Sequence, residues 1–166
     1  MKTINCLLSI LTISVVFAFT ACSTMTSAER AERDAKIAQA VQKALADRQY
    51  TVNIQMMFPQ RGKSVNVSSN YSLQVKGDTL VSYLPFFGRA YNVPYGGGDG
   101  FNFTAPIKEY HVQKASNGNT NIMINVDTRE DFIKYTLDIS PNGNTYIDVT
   151  SREREPISYS GQVDVE

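Results

Sequence analysis

Thiols and imidazoles are scarce in this sequence, and their scarcity removes most metal and nucleophile chemistry at once. Two cysteines and one histidine occur in 166 residues. Cys6 falls in a segment that reads as a cleaved leader and Cys22 at its boundary, so no thiol is left for a disulfide, a redox pair or a zinc site. His111 stands alone in "EYHVQ". Alternation places it with Glu109 and Gln113 on the outer face of a strand. Without a second histidine, an HExxH pair or a GxSxG elbow, neither a zinc centre nor a serine hydrolase is encoded. An excess of charge of either sign is also missing, with 16 Lys and Arg against 16 Asp and Glu. No basic cluster exists to neutralise a phosphate backbone, which excludes nucleic acid as a partner.

The glycine-rich "GGGDG" at 96–100 lacks the Lys-Ser/Thr of a P-loop and the spacing of a dinucleotide fingerprint. Asp99 alone cannot supply the oxygens that calcium needs. Two acidic pairs remain, Glu130 with Asp131 and Glu153 with Glu155, interleaved with Arg129, Arg152 and Arg154. They read as solvated loop charges; a glycosidase would need two such carboxylates flanking a cleft. No catalytic residue, metal ligand or cofactor is expected, and an acid/base hydrolase is the least favoured reading.

What is present begins with a leader. Lys2 precedes the apolar run "CLLSILTISVVFAF", which is short for a membrane span and suited to a signal peptide over residues 1–21. The run ends in "FTAC", small residues before a cysteine, which resembles the bacterial lipobox and marks Cys22 as the lipidated residue. Residues 22–49 then form the anchor and an alanine-rich helix. "TSAE" at 26–29 can make a capping box, and Ile37, Ala38, Val41 and Leu45 form a narrow apolar stripe on an otherwise charged helix.

At Tyr50 the period changes from 3.6 to 2. "YTVNIQMMF" places Tyr50, Val52, Ile54, Met56 and Phe58 on one face. The alternation recurs in "VNVSSNYSLQV", "TLVSYL", "IKEYHVQK", "TNIMINV", "FIKYTLDI", "TYIDVTSR" and "ISYSGQVDV". Turn signals such as "KGD", "SNGN" and "SPNGN" join them. The expected fold is mainly β: an N-terminal helix, then over 50–166 an eight-stranded antiparallel meander. Eight strands suffice to close a small barrel, and a two-sheet sandwich is the alternative.

One connection is unlike the others. "YLPFFGRAYNVPYGGGDGFNF" at 83–103 is long and rich in rings, glycine and proline, as functional loops often are. Tyr83, Phe86, Phe87, Arg89, Tyr91, Tyr95, Phe101 and Phe103 are the candidate ligand-binding residues. Alternatively, Leu84, Phe86 or Phe87 plugs one end of the barrel, where each buried ring contributes roughly 2 to 3 kcal/mol.

This phrase, with the closing "ISYSGQV" and the lipobox, resembles domain-of-unknown-function family 4251, small envelope lipoproteins of Bacteroidetes-type bacteria. The resemblance implies a compact lipocalin-like β domain on a lipid anchor, and no catalytic residues. Ser23 after Cys22, and no acid in "STMTSAE" before Glu29, favour the periplasmic face of the outer membrane. The expected function is a non-catalytic envelope lipoprotein, held to the membrane by lipid, that binds a small apolar or glycan ligand. A structural or assembly role with an envelope protein is the alternative.

Overall fold

The computed structural model describes residues 26–67, 70–91, 100–128 and 131–165. Cys22 and the leader, Tyr95, Asp99 and Glu130 lie outside the described residues. The chain divides into two compact units, Met1–Arg33 and Asp34–Glu166. Helix α1 (Ser27–Ala46) begins in the first and ends in the second. Its start is the expected capping box. The Thr26 amide donates to the Glu29 carboxylate at 2.8 Å, and the Glu29 amide donates to the Thr26 hydroxyl at 3.3 Å.

Among the described residues nine strands follow: β1 (Gln49–Pro59), β2 (Val65–Asn66), β3 (Ser72–Lys76), β4 (Thr79–Leu84), β5 (Phe101–Lys114), β6 (Thr120–Asp127), β7 (Phe132–Ile139), β8 (Asn144–Ser151) and β9 (Ile157–Val163). From β3 to β9 each pairs antiparallel with the next, β1 pairs with β3, and β9 returns to β1. β2 and β3 share one position beside β1, joined across their break by Val67 N to Gln55 O and Ile54 N to Tyr71 O. The result is a closed eight-strand antiparallel barrel. The sandwich alternative is excluded, because the first and last strands are hydrogen-bonded neighbours. Closure removes the edges through which an open sheet pairs with other chains.

The interior is filled with side chains. Leu73, Leu80, Leu84, Ile122, Ile124, Leu137 and Ile147 are fully buried, together with Tyr135 and Tyr159. At one end, Val41 and Leu45 of α1 join this core, with Ile37 and Ala44 packed against it. The thin apolar stripe is therefore the face that the helix buries.

The alternation expected along β1 fails after Ile54. A β-bulge between Ile54 and Met56 lets the strand gain one residue against β9, and Met57 is buried where Met56 was expected. An extra residue reverses every later side chain on a strand, which a strict period of 2 cannot foresee. Opposite Ile54 sits Gly161, where a Cβ would lie 2.1 Å from the Asn53 carbonyl oxygen. The backbones approach too closely there for any side chain.

Candidate functional site

The far end of the barrel gathers the connections β4–β5, β6–β7 and β8–β9. The expected aromatic loop is shorter than the sequence suggests, because Tyr83 lies in β4, and Phe101 and Phe103 lie in β5 paired with it. Only 85–100 connects the two strands. Gly100 turns the chain back with φ +82°, and a Cβ there would lie 2.3 Å from the Leu84 carbonyl oxygen.

Both ends of this connection are bound to β9 and to the segment that precedes it. Tyr159 donates its hydroxyl to Pro85 O at 2.6 Å, and Arg154 donates to Gly100 O at 2.6 Å. The Arg154 guanidinium also lies over the rings of Phe86 and Phe101, at 5.3 and 5.0 Å from their centroids. Those two rings meet edge to face, 5.5 Å apart and 83° inclined. Further on, Arg89 N donates to the Glu155 carboxylate, Glu155 N to Arg89 O, and Tyr91 N to Glu153 O.

The candidate residues thus divide. Phe101 is buried, and Phe86 and Phe103 are half-buried against the core, so these three close the barrel end. Phe87 and Tyr91 are 65% and 67% exposed, and Tyr83 and Arg89 are also exposed. Tyr83 stacks on Tyr71 with 5.1 Å between centroids. Plug and exposed surface coexist on one segment.

The carboxylates near this end are engaged in holding turns. Asp131 accepts from the Ser151 hydroxyl and from Arg152 N, while its own amide donates to Thr128. Glu155, expected to be a solvated loop charge, is 5% exposed and pairs with Arg61 at 3.6 Å as well as with Arg89 N. His111, Glu109 and Gln113 are exposed on the outer face of β5, as alternation predicts. Among the described residues no group of three or more His, Cys, Asp or Glu converges as a metal site.

Arg154, Glu155 and Tyr159 are the bracing residues that sequence reasoning missed. "EREP" carries no periodicity, and the proximity of Pro85 to Tyr159 arises only once β9 has closed the barrel. Burial pushes the phenols of Tyr159 and Tyr135 well above the ordinary tyrosine range.

A closed eight-strand antiparallel barrel with an N-terminal helix and an aromatic cap defines the structural class. The chain belongs to the domain-of-unknown-function family DUF4251, whose profile matches residues 32–163. The fold is similar to the crystal structure of a DUF4251 family protein from Bacteroides eggerthii, with a TM-score of 0.61 and 17% identity over 80% of this chain and 89% of that one. No curated protein matches the chain significantly.

Proposed function

We propose that this is a non-catalytic lipoprotein of the bacterial envelope, tethered through Cys22 to the periplasmic face of the outer membrane, which binds a glycan through the exposed part of its aromatic segment. The observation that carries the reading is the exposure of Phe87 and Tyr91, 65% and 67%, on a backbone fixed by three hydrogen bonds to the β8–β9 segment. Large rings kept in water on a fixed support suit recognition better than packing, since a stability role would have buried them. Sugar rings present flat C–H faces that stack on such side chains, and Arg89 beside them supplies hydrogen-bond donors to hydroxyls.

Native mass spectrometry of the protein isolated from its own envelope, with glycan extraction, tests this directly. A reproducible added mass with sugar composition is expected. Phe87→Ala and Tyr91→Ala should each weaken that binding by roughly tenfold, about 1.4 kcal/mol, with unfolding midpoints unchanged. Phe101→Ala, by contrast, should cost roughly 3 to 5 kcal/mol of stability. If the protein comes off empty but crosslinks to an envelope protein through Phe87, the same face serves assembly and the glycan reading falls.

The anchor has its own check. Growth with an alkyne-labelled fatty acid should label the protein, and Cys22→Ala should abolish the label and release the protein from the membrane fraction. Labelling that persists in that variant would contradict the assignment.

A further inference from the structure

At the opposite end, β4 leaves β5 where Thr79 pairs with Pro106. A bulge follows between Ile107 and Glu109, and β5 then runs to Lys114 paired with β6 and with no other strand among the described residues. Tyr110, Val112 and Lys114 of this stretch line a groove of about 400 Å³, whose opposite wall is Leu45 and Ala46 at the end of α1. That volume falls within the range of small-molecule sites. Val112, an apolar side chain of its lining, is 53% exposed.

The charged groups of the groove favour an anion. Arg48 and Lys114 line it, and none of its lining residues is Asp or Glu. Lys114 Nζ donates to the neutral Gln42 amide at 3.1 Å. Arg48 lies 4.4 Å over the Tyr110 ring, and its ion pair with Asp78, at 3.2 Å, is open to solvent and readily exchanged. Arg48 has φ 51°, the left-handed conformation that helices usually give to Gly or Asn at this point. Backbone strain is thus accepted at the residue that sets a cation at the mouth of the groove.

The Tyr50 and Tyr110 hydroxyls lie 3.1 Å apart. Their mutual bond uses one of two protons. When buried Tyr50 donates, Tyr110 on the groove wall keeps a proton for an acceptor. Burial also raises both phenols above their ordinary range, which keeps them as donors.

The geometry points to a second binding site here, for a small amphiphilic anion: an apolar chain along Leu45 and Val112, with its carboxylate on Arg48, Lys114 and the Tyr110 hydroxyl. It is separate from the aromatic face and does not depend on the reading given to that face.

Isothermal titration of the protein with dodecanoate, below its micelle concentration, tests the site. Saturable binding at one site per chain is expected, with 1-dodecanol bound at least about tenfold more weakly, since it lacks the charge that the two cations read. Lys114→Gln, at an exposed strand end, and Arg48→Asn, which suits the left-handed backbone, should each weaken dodecanoate several-fold while circular dichroism stays unchanged. Phe87→Ala should leave its affinity intact. Absence of saturable binding, equal affinity for the alcohol, indifference to both cation variants, or loss of binding in Phe87→Ala would each overturn the assignment.

Discussion

Above pH 10 the barrel is expected to lose stability steeply and to unfold cooperatively. Tyr50, Tyr135 and Tyr159 are buried, and burial is the largest cause raising all three above the ordinary value of 10.0. A phenolate would be charged in an apolar interior, so the native state retains protons that the unfolded chain releases. Each such contribution is intact below pH 10 and is lost as pH rises, because the unfolded state then binds fewer protons than the native one. The slope is about 1.4 kcal/mol per pH unit for each tyrosine. Against a total stability of about 5 to 15 kcal/mol, three such groups are decisive within a few pH units. Phenolate absorbance and far-ultraviolet circular dichroism, followed together, should show an ionisation step that coincides with loss of the fold. Smooth titration of all nine tyrosines with the dichroism intact would contradict the buried assignment.

Gly161→Ala is also expected to have a large effect. The added methyl would lie 2.1 Å from Asn53 O, 3.0 Å from Asn53 C and 3.1 Å from Ile54 Cα, all backbone atoms of β1 at its bulge. No flexible side chain can move aside, so β1 and β9 must separate where the barrel closes. A cost of roughly 3 kcal/mol or more is expected, against less than about 0.5 kcal/mol for an exposed surface change such as Gln162→Ala. Urea denaturation of the two variants decides the matter. A Gly161→Ala midpoint close to that of the parent protein would mean the strands are not in such close contact.

Local pattern carried much of this architecture. Alternation in "FIKYTLDI" and "TYIDVTSR" reads directly onto β7 and β8, because both run without a bulge and bury one face. The signal at "KGD" places the β3–β4 turn at Gly77 and Asp78, between the paired Lys76 and Thr79. Pattern misled where an irregularity shifts the register, as at Met56 and Met57. It misled again where the rings and glycines of 83–103 suggested one long connection, although Tyr83 lies in β4 and Phe101 and Phe103 in β5.

The candidate site was legible as a segment but not as surfaces. Composition marked the rings of 83–103, whereas the division between buried Phe101 and exposed Phe87 depends on Arg154 and Tyr159, far along the chain. The groove beside Tyr110 gave no signal at all. Arg48, Tyr110 and Lys114 come together only through the stagger of β5 past β4, which no short window of sequence contains.

The seam between β1 and β9 bears on how the protein comes to be. Asn53 and Asp164, linked across it, are separated by 111 residues. Every other strand pairing among the described residues joins neighbours in the meander, except β1 with β3, and that pair is close in sequence as well. Hairpins can therefore form in order as the chain emerges, while the cylinder waits for its last strand. Contacts of long sequence separation slow folding, so ring closure is the step expected to set the rate. Until then β1 and β8 offer open edges, and a chain shortened by one strand would keep them permanently.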